Sequence, residues 1–160
     1  MLVPVPKQVL IADDSHLVRQ TIKNVLAPRS DIAICGEATN GLEAVEKART
    51  LKPDLVLLDL AMPEMNGAEA ASVLKMTMPD VRIILFTMHS ENIGSYLTSA
   101  IGVDAVLSKP EGITALVEAI DIALFPISGL VGKDKAKYVK PSVTTLRLAN
   151  GNEHETEEKA

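Results

Sequence analysis

The sequence predicts an α/β domain, (βα)5, with a doubly wound five-stranded parallel sheet covered by helices on both faces. Three observations predict it. Five short apolar runs recur within the first 125 residues, stretches of helical period separate them, and turn residues mark the junctions. Unbroken apolar runs are the pattern of strands buried on both faces, and helical crossovers are what join parallel neighbours.

The first run is Val9–Ala12. Val18, Ile22, Val25 and Leu26 follow at helical spacing, Asp14 or Ser15 can cap that helix, and Pro28 stops it. The second run, Ile32–Cys35, leads to a stripe of Leu42, Val45 and Ala48 that ends before Pro53. The third, Leu55–Leu58, precedes the Ala-rich, helix-favouring stretch Ala68–Met76. After the fourth, Val81–Phe86, which only Arg82 interrupts, residues Ile93, Tyr96, Leu97 and Ala100 fall at i, i+3, i+4 and i+7. The fifth, Ala105–Leu107, is followed by Ile113, Leu116, Val117, Ile120 and Leu124, and Pro126 closes that helix.

A chain of 160 residues suits one compact domain, and a hydrophobic content of 47% can fill its core. That core must be aliphatic, because Phe86, Tyr96, Phe125 and Tyr138 are the only aromatics. Stacking platforms for single-stranded nucleic acid are therefore nearly excluded. The net charge of −5 disfavours phosphate backbones, and residues 1–125 carry 10 Lys+Arg against 16 Asp+Glu. No direct nucleic-acid binding is expected. Cys35 is the lone cysteine, so neither an internal disulfide nor a cysteine metal site is expected, and its place in an apolar run predicts core packing. No leader-like N-terminus is visible, and no run approaches the roughly 18 apolar residues of a membrane span. A cytoplasmic protein without membrane contact is expected.

The predicted division is a domain over residues 1–125 and a C-terminal tail over residues 126–160, partly disordered and without a DNA-binding domain. Gly129, Gly132, Pro141 and Gly151 interrupt any long helix there, and no pair of amphipathic helices is visible. Lys133, Lys135, Lys137 and Lys140 read as a solvated linker. Asn150–Ala160 offers almost nothing to bury and is expected to be mobile. Gly129–Lys133 only faintly suggests a phosphate loop, since Ile127 stands where its first glycine belongs.

In open α/β sheets, ligands bind beyond the carboxyl ends of the strands, near the point where winding reverses. Here the first run ends in Asp13-Asp14, the third in Asp59, the fourth in Thr87 and the fifth in Ser108-Lys109. Three neighbouring carboxylates repel one another, and a hard divalent cation relieves that repulsion. An all-oxygen set favours Mg2+ or Mn2+ over zinc. A carboxylate can attack phosphorus to give an acyl phosphate, while a lysine and a hydroxyl pair with the phosphoryl oxygens.

These residues resemble the receiver domains of response regulators, which have a flavodoxin-like fold. Val9-Leu10-Ile11-Ala12-Asp13-Asp14 looks like the family's acidic-pair motif, and Asp59-Leu60-Ala61-Met62-Pro63 with Met65-Asn66-Gly67 like its phosphoacceptor loop. Phe86-Thr87 and Ser108-Lys109-Pro110 match its switch threonine and its lysine. The resemblance spans about residues 7–125. It implies that Asp59 accepts a phosphoryl group from a sensor histidine kinase or a phosphotransfer protein. It further implies that Asp13, Asp14, Asp59 and the Ala61 backbone carbonyl hold Mg2+, that Lys109 contacts the phosphoryl oxygens, and that the Lys109–Pro110 bond is cis. Thr87 would swing toward that group, and the fourth-helix, fifth-strand and fifth-helix face would change its preference for a downstream protein. The resemblance leaves open a homodimer through that face.

The chain departs from the pattern at Val106, where many members carry an aromatic coupled to the threonine. Met88 follows Thr87 where small residues are common, and Ala61 and His89 take variable positions beside the phosphoryl group. A Mg2+-dependent phosphohydrolase is a rival reading, opposed by Ala61 where such enzymes place a second Asp. A flavin-binding module lacks the aromatics to sandwich its ring, and a phosphorylation-independent scaffold is the remaining alternative. Singly, Asp13-Asp14 would be a helix cap, His16 a solvent-facing residue, and Met76, Met78 and Met88 gap-fillers.

Overall fold

The structure is a computed structural model that describes residues 3–88 and 96–127. Five parallel strands form one sheet in the order β2-β1-β3-β4-β5: β1 (Lys7–Ala12), β2 (Ile32–Ala38), β3 (Leu55–Leu58), β4 (Arg82–Thr87) and β5 (Ala105–Ser108). The helices are α1 (His16–Leu26), α2 (Gly41–Leu51), α3 (Gly67–Thr77), a short π-helical segment labelled α4 (Leu97–Ile101), and α5 (Ile113–Leu124). A 3-10 turn, Lys109–Glu111, links β5 to α5. The expected (βα)5 order is therefore present. Among the described residues no helix is long and apolar enough to cross a membrane.

Alternate strand residues feed two aliphatic layers. Val9, Ile11, Leu55, Leu57 and Ile84 face α1 and α5, packing on Ile22, Leu26, Leu116 and Ile120. Leu10, Val56, Leu58, Ile83 and Leu85 face α2 and α3, packing on Ala44, Val45, Ala48, Ala70, Ala71 and Leu74. Small alanines on α2 and α3 let those helices lie close to each other and to the sheet. Local chemistry sets the helix starts: Ser15 caps α1 and Asn40 caps α2, while Asn66 and Glu69 form a reciprocal capping box on α3.

Several expectations need correction. Leu42 is exposed, because α2 begins at Gly41 and turns Gly41, Ala44, Val45 and Ala48 inward. Val25 on α1 is likewise more exposed than its stripe implies. β2 runs three residues beyond Cys35 and forms a sheet edge, so Cys35 packs against the core as expected but is only half-buried. Of the stripe expected after β4, Leu97 is buried while Tyr96 and Ala100 are exposed, and Ile93 lies outside the described residues. Met78 packs against the core, but Met76 and Met88 face solvent and fill no gap. The Lys109–Pro110 bond is trans, as is every peptide among the described residues. Pro110 sits in the first turn of the 3-10 segment, where its fixed φ is already suitable. The expectations for residues 128–160, and His89, fall outside the described residues.

Candidate functional site

Strand register brings the acidic residues together. Ala12 of β1 pairs with Leu58 of β3, so the residues that follow, Asp13 and Asp59, leave the sheet side by side. The Asp59 amide donates to the Ala12 carbonyl at 2.9 Å and the Asp13 amide to the Ala38 carbonyl at 3.1 Å. The winding reverses between β1 and β3, which is where an α/β sheet opens a crevice. On the other side, Thr87 of β4 pairs with Ser108 of β5, and Lys109 comes next.

Asp13 and Asp59 are buried, and Asp14 is exposed at the mouth. One carboxylate oxygen from each of the three lies within 4.8 Å of the others. Lys109 spans the buried pair, with its Nζ 2.6 Å from Asp13 Oδ2 and 3.2 Å from Asp59 Oδ2. The other Asp13 oxygen accepts the Ser15 amide at 2.8 Å. The Ala61 amide approaches Asp59 Oδ1 at 3.4 Å, so the backbone after β3 folds back over its own carboxylate. Thr87 is buried at the end of β4.

Burial raises the Asp13 pKa, outweighing the opposing hydrogen bonds from Lys109 and Ser15; the nearby Asp59 charge adds to the rise. Burial pulls the Lys109 ammonium the other way, but its hydrogen bond and attraction to Asp13, together with Asp59, hold its pKa above the ordinary lysine value. The pocket thus has more negative charge than its one lysine neutralises. Its donor set is hard oxygen throughout. Oxygens bound to one Mg2+ stand at most about 4.2 Å apart, twice the metal–oxygen distance. The donor set suits such a cation chemically, and the carboxylate oxygens would draw together around it, since only one of their three pairs can lie across an octahedron.

Two glycines shape the loop after β3. A Cβ on Gly67 would meet the Asp59 carbonyl, and a Cβ on Gly41 would stand 2.2 Å from the Met65 carbonyl. Their amides also bond into the loop: Gly67 to the Leu60 carbonyl at 3.0 Å and Gly41 to the Met65 carbonyl at 2.9 Å. Glu64 turns the loop with a positive φ of 67°. Gly67 belonged to the recognised motif without a physical role. Gly41 and Arg19 were not singled out at all, although Arg19 lies beside the apolar stripe of α1. His16 is exposed at the start of that helix, as expected. Val106 is buried in β5 opposite Leu85, an aliphatic contact.

The chain is 38% identical over 115 residues to the response regulator protein VraR of Staphylococcus saprophyticus, covering 72% of this chain and 55% of that protein. The VraR of Staphylococcus aureus is 36% identical over 113 residues, covering 71% and 54%. The chain thus spans about half the length of these curated relatives. Among solved structures, a two-component response regulator of the LuxR family from Aurantimonas sp. SI85-9A1 superposes with a TM-score of 0.70 at 28% identity, covering 75% of this chain and 86% of that one. The response regulator domain of Thermotoga maritima CheB gives 0.62 at 32%, covering 74% and 89%. The response regulator receiver domain family matches residues 9–121, and the chain belongs to it.

Proposed function

We propose that the chain is a phosphorylation-dependent switch in a two-component phosphorelay, taking a phosphoryl group on Asp59 from a histidine kinase or phosphotransfer protein. The observation that carries this reading is Lys109 bridging two buried carboxylates beside a third, at the winding reversal of the sheet. An Asp59 oxygen attacks phosphorus, the bond from phosphorus to the donor's imidazole nitrogen breaks, and the imidazole leaves to take up a proton. Asp59 becomes an acyl phosphate. Lys109 exchanges its Asp59 contact for a phosphoryl oxygen, and the Thr87 hydroxyl turns toward another. A divalent cation held by Asp13, Asp14, Asp59 and the Ala61 carbonyl would neutralise charge on the transferring group.

The acyl phosphate carries a charge of about −1.5 to −2, by analogy with other phosphoresidues, in place of the single charge of the carboxylate. Thr87 is paired with β5, so its movement biases the β4, α4, β5 and α5 surface toward a second conformation and a different protein partner. The excess of acidic residues in 1–125 supports output through protein contact rather than direct grip on nucleic acid by this domain. One structural neighbour, from Staphylococcus aureus, is named a DNA-binding response regulator of the LuxR family, which links receivers of this shape to DNA-binding output in that protein.

Intact-mass measurement after incubation with acetyl phosphate and Mg2+ tests the assignment. Wild type should gain one phosphoryl group and Asp59→Asn none. A wild type that stays unmodified, with acetyl phosphate and with a panel of kinases, would overturn the proposal and favour a phosphorylation-independent scaffold.

A further inference from the structure

Arg19 ties the acidic junction to the neighbouring strand β2. Its Nη1 donates to the Asp13 backbone carbonyl at 2.7 Å, and its Nε donates to Glu37 Oε1 at 3.0 Å. The Arg19 side chain is only 12% exposed. Glu37, next to last in β2, lies beside Ile11 of β1 and is also held by Lys23 at 2.9 Å. The guanidinium therefore sits in a fixed fork, with one arm on the peptide that joins Asp13 to Asp14.

We infer that Arg19 is a positioning residue for divalent-cation uptake: by holding the Asp13 carbonyl, it orients the Asp13–Asp14 peptide so that both carboxylates face the pocket. The inference rests on the divalent-cation part of the function proposed for the same site. All three acceptors of Asp13 are then engaged: its carbonyl by Arg19, Oδ1 by the Ser15 amide and Oδ2 by Lys109. Asp14 is exposed and has no such cage, so the direction of its side chain depends on the peptide before it. Fixing that peptide lowers the ordering cost of bringing Asp14 to a cation.

Charge alone predicts the opposite sign, which makes the inference testable. Arg19 is a cation near a cation site, so by Coulomb's law its removal should tighten binding. Loss of Glu37, an anion, should weaken it. Positioning predicts that Arg19→Met weakens binding, on the order of tenfold, because the carbonyl tether is gone. Glu37→Gln keeps an oxygen to accept from Nε and should change binding less than about twofold.

The measurement is titration with Mn2+, with the free ion counted by electron paramagnetic resonance, on the full chain as wild type, Arg19→Met, Arg19→Lys, Glu37→Gln and Asp14→Asn. Circular dichroism checks that each variant is folded. Arg19→Lys can still reach the carbonyl with one donor and should recover part of the loss, and Asp14→Asn should abolish uptake. Acetyl-phosphate labelling at saturating Mg2+ should run at nearly the wild-type rate in Arg19→Met, since the tether acts on cation affinity and not on Asp59. Unchanged or tighter Mn2+ binding in Arg19→Met would overturn the inference, as would an equal loss in Glu37→Gln. If Arg19→Met does not fold, failure of Arg19→Lys to bind more weakly than wild type would overturn it as well. Wild type that takes up no Mn2+ would overturn it together with the cation reading of the site, whereas normal uptake without labelling would spare Arg19 and sink only the phosphoacceptor role.

Discussion

Gly67 packs against the backbone of Asp59 so closely that a Cβ there would stand 2.1 Å from the Asp59 carbonyl oxygen. The obstacle is backbone, so it cannot turn aside as a flexible side chain would. Gly67→Ala should therefore push the loop after β3 away from the sheet, destabilising the domain by about 1–3 kcal/mol and slowing modification of Asp59. Gly102→Ala is the comparison. Gly102 has a φ of 83° with open space around it, so that change strains the backbone without touching the site. Urea unfolding and acetyl-phosphate labelling of both variants check this. Equal labelling of the two would show that the Gly67 contact does not position Asp59.

Lys109 is the shared partner of two buried carboxylates, and removing it leaves both without that cation. Lys109→Met should cost about 3 kcal/mol in cation-free buffer. Mg2+ should restore part of that loss, because the ion takes over the neutralisation. The phosphoryl group would also lose a charged donor, so labelling of Asp59 should slow on the order of 100-fold. Urea midpoints in chelator and in Mg2+ provide the check. A loss of stability that Mg2+ does not reduce would mean that Lys109 serves packing rather than charge.

Cation binding to the native pocket should itself stabilise the fold. At a Mg2+ concentration 100 times the dissociation constant, the gain is about 2.7 kcal/mol, provided the unfolded chain does not bind. Three carboxylates with oxygens within 4.8 Å become the source of that gain, and chelation should reverse it. Asp14→Asn should lose most of it. Thermal unfolding with and without Mg2+ measures the effect, and equal shifts in both proteins would place the ion elsewhere.

Much of this was legible in the sequence because strand ends are where apolar runs stop. Asp13, Asp59, Thr87 and Lys109 each follow such a run, and the register of β1 with β3 and of β4 with β5 turns that linear fact into adjacency. What could not be read was any feature set by approach distance. The closeness of Gly67 to Asp59 and of Gly41 to Met65 depends on how α2 and α3 seat on the sheet, and composition carries no trace of it. Arg19 was hidden for a related reason: its partners are a backbone carbonyl and a residue on another strand. Leu42 was misplaced by about one residue's rotation on the helix, since the cap at Asn40 fixes the starting phase of α2. Cys35 packs on the core but only half-buried, because its strand lies at the sheet edge, which a short apolar run does not reveal.

Stability in acid should depend on Glu43, which joins the end of β2 to α2. Its carboxylate accepts from Lys47 and from both the amide and the hydroxyl of Thr39. The hydrogen bond from Lys47, then that from the Thr39 amide, holds its pKa at about 2, against 4.5 for an ordinary glutamate. A carboxylate with a depressed folded pKa stabilises the native state fully above the unfolded value, and that contribution disappears as pH falls through the folded one. The window is therefore pH 4.5 down to about 2. Lys47 is well exposed, so screening by water keeps the contribution below about 1 kcal/mol. Glu43→Gln should be slightly less stable than wild type at neutral pH, and its stability should fall less steeply across that window. Unfolding midpoints of the two proteins from pH 7 to pH 2 should converge at the acid end. Parallel curves over the whole range would mean that the Glu43 contacts do not survive in solution.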